Sequence, residues 1–154
     1  MTTQENKALV RRFVREVWNE QHRDRIDELY SPDYVGHWYQ LGGADVDREG
    51  LKAFVREVHR GFPDFRMDVE FIHGEDDLVT VGFTSSGTHE GEFMGISPGG
   101  TETGGGATPG HLTSRIEDGE IVEGWATWDA LGLLQGLGVI PGDLAKVAPA
   151  ADDD

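Results

Sequence analysis

Few side chains in this sequence could do chemistry near neutral pH. Cysteine is absent, which excludes a thiolate nucleophile, a disulfide framework and a Cys-based zinc site. The histidines, His22, His37, His59, His73, His89 and His111, form neither an HExxH motif nor a close pair at helical ligand spacing, so no metal centre is expected. The glycine-rich stretch around Gly99 to Gly106 superficially invites a phosphate, but it has no GK[ST] and no suitable preceding strand, and GxSxG is missing. No cofactor is expected. What remains is acid–base work by side chains that can hold or give a proton near neutral pH. The candidates are His37 in VGHWYQ, His111 in PGHLTS, His89 in GTHEGEF and Asp129 in WATWDALG. Three of the four have a plainer alternative. His37 reads equally as a strand-end histidine packed among aromatics, His89 as a loop or contact residue, and Asp129 as the cap of a following helix.

These side chains depend on the elements that carry them. Val10, Phe13, Val14, Val17 and Trp18 recur on one helical face behind a Thr2/Glu5 capping box, which predicts a first helix. A short second helix runs through Ile26 and Leu29, is stopped by Pro32, and gives way to an extended aromatic stretch from Tyr34 to Tyr39. Asp47 caps a third helix whose stripe is Leu51, Phe54, Val55 and Val58, and Gly61 closes it before Pro63. From Phe65 the period becomes two: Met67, Val69 and Phe71, then Val79, Val81 and Phe83 after an HGEDD turn.

Residues 97–110 lack apolar periodicity and read as a long loop, either a lid or a slack connection. Beyond it, Asp118-Gly119 marks a tight hairpin. Counting outward without a bulge pairs Ile116 with Ile121 and His111 with Ala126, so His111, Ala126 and Trp128 share a face while Trp125 takes the other. A last helix starts near Asp129 or Ala130 and buries Leu131, Leu134 and Leu137. Helices followed by strands imply a segregated α+β domain, with helices covering the apolar face of a curved sheet.

The length of 154 residues fits one domain, taken as 1–142, with 143–154 an acidic, flexible tail. With 13 Lys and Arg against 29 Asp and Glu, the net charge of -16 argues against nucleic acid and anionic membranes as partners. Such acidity serves solvation and also suits work at high salt, where screening removes self-repulsion. The N-terminal stretch resembles neither a signal peptide nor a membrane span, so the cytoplasm is the expected compartment.

Four segments, NKALVRRFVREVWNE, DELYSPDYVGHWY, GTHEGEFMGISP and RIEDGEIVEGWATWDALGLLQGLG, follow one another as in the SnoaL-like polyketide cyclase (ester cyclase) group of the NTF2-like superfamily, which the chain resembles from about Asn6 to Gly138. The resemblance implies an α+β cone: a curved antiparallel sheet wrapped around three N-terminal helices, a short C-terminal helix, and a homodimer through the sheet. It further implies a pocket aspartate acting as general acid/base in an aldol ring closure, without metal or nucleotide. The position matching that aspartate is Ala126, the matching pocket histidine is Leu112 with His111 next to it, and the matching polar groups are Gly110 and Gly36. Two readings of the cone follow, beside a third in which the sheet face is simply a dimer interface. In one, His111 or His37 replaces the aspartate in a cofactor-free enzyme acting on an apolar carbonyl compound. In the other, the cone survives as a binding protein for a hydrophobic small molecule, with Tyr34, Trp38, Phe54, Phe93 and Trp128 as its walls.

Overall fold

The computed structural model describes residues 2–41, 44–99 and 107–140, without the Leu41 side chain. Helix α1, Thr3–Arg12, begins at the expected box: the Thr2 hydroxyl accepts from Glu5 N at 3.1 Å and Thr2 N donates to the Glu5 carboxylate at 3.0 Å. The same rod continues as a π-helix, Phe13–Asn19. Its wider turn brings residues five apart near one face, so Phe13 and Trp18 reach the same space, ring centres 6.3 Å apart. Helix α2, Ile26–Leu29, is a single turn. Helix α3, Arg48–Gly61, is capped by Asp47, whose side chain accepts from Gly50 N at 2.7 Å.

The strands are β1 Tyr30–His37, β2 Asp45–Val46, β3 Arg66–Glu75, β4 Leu78–Ser86, β5 Thr108–Glu117 and β6 Glu120–Trp128, with the short helix α4, Ala130–Gly136, at the end. They form one sheet in the order β2-β1-β6-β5-β4-β3. All neighbours are antiparallel except β1 and β6, which run parallel. Strand β1 starts before Pro32 instead of after it. The proline, which has no N–H to give, sits where the β1–β6 register slips between Tyr30 and Val35.

Two further bulges decide which side chains face inward. In β3 the register slips between Val69 and Phe71, so Glu70 is the extra residue; Phe71 turns outward, 43% exposed, and Ile72 packs inward. In β6 the tight turn sits where expected, with Asp118 and Gly119 at φ 50° and 79° and Ile116 opposite Ile121. One step further, Arg115 faces Glu123, leaving Val122 as the extra residue. Every pair beyond is displaced by one from the unbulged count: Leu112 faces Ala126, and His111 faces Thr127. The core lies between the sheet's inner face (Val79, Val81, Phe83, Ile116, Ile121) and the helix residues Val10, Val17, Leu51 and Val55.

Candidate ligand cavity

Between the sheet and the helices lies a hollow that the side chains leave unfilled. The space free of protein atoms, counted to the mouth and including interstices, is about 850 Å³; the part open to the centre of a water molecule is about 100 Å³. Its walls are aromatic. Phe13 and Trp18 come from the π-helix, Tyr30, Tyr34 and Trp38 from β1 and the residue after it, Phe54 from α3, Phe93 from the loop after β4, and Trp128 from the end of β6. Phe54 stacks on Trp128 at 5.5 Å and meets Trp38 edge-on at 5.2 Å. Leu112 and Ala126 supply aliphatic floor, and Leu133 of α4 closes one side. The five expected wall residues, Tyr34, Trp38, Phe54, Phe93 and Trp128, thus all line one cavity.

Polar atoms in the walls are sparse and lack full charge. Tyr34 is seated on two glycines that face each other across β1 and β6, Gly36 and Gly124; a Cβ on either would come 2.6 or 2.7 Å from its hydroxyl oxygen. Burial pushes the Tyr34 phenol up to about 12, against the opposing pull of the Trp38 indole N–H beside it. That N–H is buried and makes no aligned hydrogen bond. Tyr30, edge-on to Tyr34 at 4.8 Å, is likewise held protonated by burial. Ser85 donates to the Thr108 carbonyl at 3.3 Å, and the buried Thr108 hydroxyl has no partner among the described residues. Among the described residues, no carboxylate or imidazole lines the cavity.

The candidate acids and bases lie elsewhere. His111, opposite Thr127 and not Ala126, points to the outer face, exposed beside Phe71 at 5.6 Å. His37 is also outside, 3.1 Å from Asp45 and 2.8 Å from Glu123. Its bond to Glu123, joined by Asp45, raises its pKa, and the same bond with help from Arg115 lowers that of Glu123. Arg115 continues the chain to Asp77 and lies over the Trp125 ring at 5.7 Å, so Trp125 belongs to the outer face as the alternation predicts. Asp129 is a helix cap: its carboxylate accepts from Gly132 N at 2.9 Å and is exposed. His89 is 1% exposed and stacks on Phe62 at 5.3 Å, outside the cavity lining.

In α4 it is Leu133 that turns inward, whereas Leu131 is 48% exposed. Phe13 and Trp18 were legible only as a core stripe, and Ser85 and Thr108 gave no sequence signal, since a hydroxyl's direction follows from strand register. Thr108–Gly110, read as loop, begin β5. Residues 100–106 of the proposed lid and the tail 143–154 lie outside the described residues. No helix among the described residues is long and apolar enough to cross a membrane.

A curved sheet closed by helices over an apolar hollow defines a small α+β protein of the NTF2 and ketosteroid-isomerase-like fold. The family model for the SnoaL-like polyketide cyclase matches residues 8–137, and the chain belongs to that family. Among solved structures it is similar to AclR from Streptomyces galilaeus, described as a candidate hydroxylase, with 28% identity, 95% of this chain and 90% of that one covered, and a TM-score of 0.82. IdmH from Streptomyces antibioticus, a candidate polyketide cyclase, is 31% identical over 86% of this chain and 98% of that one, TM-score 0.75. A SnoaL-like candidate cyclase from Jannaschia sp. CCS1 is 25% identical over 90% and 95%, TM-score 0.80. A search of curated proteins finds no match.

Proposed function

We propose that this chain is a cytoplasmic small-molecule-binding member of its family, which holds a flat, apolar ligand in the aromatic cavity and runs no acid–base ring closure there. The observation that carries this is the pairing of Leu112 with Ala126 on the inner face, where the family resemblance implies a histidine and an aspartate. A methyl and an isobutyl group can neither take nor give a proton. The tyrosines that remain are held protonated, so they donate and do not act as bases near neutral pH. Aromatic walls with few polar atoms favour a planar apolar molecule.

The outer face supports the homodimer that the resemblance implies: it presents Phe71, Val35 and Trp125 beside the Asp45–His37–Glu123–Arg115–Asp77 chain of charges. Sedimentation of wild type and Phe71→Glu tests that partner, with a dimer expected for the first and a monomer for the second.

Titration of tryptophan fluorescence with fluorene tests the binding reading, since Trp18, Trp38 and Trp128 border the hollow. Saturable quenching is expected in wild type and its loss in Ala126→Phe, which fills the floor. Unaltered binding in Ala126→Phe would sink the reading, as would turnover of a linear poly-β-ketone to a ring at rates that His37→Ala or His111→Ala abolishes.

A further inference from the structure

We infer that Tyr34 selects the ligand: its hydroxyl donates a hydrogen bond to a neutral acceptor oxygen, a carbonyl or ring ether, on the otherwise apolar molecule. The inference rests on the small-molecule reading above and adds the ligand's chemical class and the residue that reads it.

The geometry of the seat is the first argument. Tyr34 borders both the main cavity and an adjoining open hollow lined also by Val35, Asp45, Val46 and Asp47, so its side chain stands between two spaces and can be met by a ligand from the cavity side. The glycines beneath it leave room for the oxygen and nothing larger. Among the described residues no carboxylate or carbonyl accepts from this O–H.

The chemistry of its neighbour is the second. An indole N–H can only donate. Trp38 Nε1 lies beside the phenol oxygen without an aligned bond to it, can only turn a donor's positive end that way, and so leaves the phenol hydrogen unused. A hydroxyl that is approached by one donor becomes a better donor itself. Around Tyr34 the other described groups that line the main cavity are rings and aliphatic chains, apart from the Trp38 N–H turned toward the phenol, so the uncommitted O–H distinguishes a ligand bearing an oxygen from a hydrocarbon of the same shape.

Third, the acceptor must be neutral. No described cationic side chain lines the cavity, the chain as a whole is strongly acidic, and an unpaired carboxylate or phenolate taken out of water is heavily penalised.

Fluorene, 9-fluorenone and fluorene-9-carboxylate share one planar shape and differ at one position, which makes them the probes. By hydrophobicity alone fluorene should bind best. We expect wild type instead to bind fluorenone about 3- to 10-fold more tightly than fluorene, the factor that one neutral hydrogen bond supplies, and the carboxylate more weakly than either. Tyr34→Phe should reverse the order of fluorene and fluorenone, and Trp38→Phe should shrink the preference without reversing it. In wild type the carbonyl stretch of bound fluorenone should fall below its value in hexane.

If both neutral probes bind but fluorenone gains nothing and its carbonyl stretch stays at the hexane value, Tyr34 is no selector while the cavity reading stands. If neither binds, the cavity reading fails and this inference with it. Should Tyr34→Phe not fold, the infrared shift and probe order in wild type still decide.

Discussion

Replacing Gly124 by alanine probes how tightly Tyr34 is held. The new Cβ would stand 2.7 Å from the Tyr34 hydroxyl oxygen and 3.3 and 3.4 Å from two ring carbons. To regain ordinary contact the oxygen must retreat by roughly half an ångström, but the ring is buried against Tyr30 and can move only into the hollow. Overpacking of this kind costs about 1–3 kcal/mol, which for a domain of this size lowers Tm by about 2–12 °C. Removing the oxygen removes the worst contact, so Gly124→Ala with Tyr34→Phe should recover at least about 1 kcal/mol relative to the sum of the singles.

Gly82→Ala is the control. There the added carbon would come even closer, 2.2 Å from the Phe71 ring, but that ring is 43% exposed and free to swing away. Its cost should stay under about 1 kcal/mol. Urea unfolding followed by near-ultraviolet circular dichroism gives all four values. A Gly124→Ala cost no larger than that of Gly82→Ala, or additivity in the double variant, would refute the idea of a tight seat.

His59, buried between Trp18 O and Arg23, is kept neutral by burial, which lowers its pKa. The unfolded chain therefore binds more protons below the ordinary histidine range, and stability should fall as pH drops through it; His59→Gln should flatten that fall in urea midpoints between pH 7 and 5. His37 works in the opposite sense: its raised pKa gives stability that is present below the ordinary value and lost as pH rises through the raised one, so His37→Gln should lose stability at pH 6 but not at pH 9. His111→Ala should leave fluorene affinity within about twofold of wild type, because an outward side chain makes no contact with the cavity. Ala126→Asp places a carboxyl in apolar walls; its pKa should rise by two or more units by roughly the burial argument, visible in the carboxyl infrared band, and fluorene binding should weaken as the group ionises.

Most of the architecture was legible because it rests on local patterns. The Thr2/Glu5 box, the Asp47 cap, the apolar stripes and the Asp118-Gly119 turn are short-range devices whose residue types carry their own geometry. The aromatic walls could be named once the cone was expected: Tyr34, Phe54 and Trp128 lie on the inner sides of their elements, and Trp38 and Phe93 in the segments that follow β1 and β4. The chemistry of the site was not legible in the same way. His111 was expected to share a face with Ala126 by a count of residues from the turn, and a single extra residue in β6, Val122, set Ala126 opposite Leu112 and left His111 opposite Thr127. The parallel pairing of β1 with β6 is equally hidden, because it joins segments that are about 90 residues apart in sequence.

The sequence by itself determined the elements, their caps and turns, and the strongly acidic composition, all of which follow from residue type and spacing along the chain. Only the tertiary structure decided which face each β5 and β6 side chain takes, that Leu112 and not His111 borders the hollow, and that Tyr34 rests on two facing glycines. The physical reason is that strand side chains alternate with a period of two, so one bulge, stabilised by packing across the whole sheet, exchanges inside for outside in every residue beyond it.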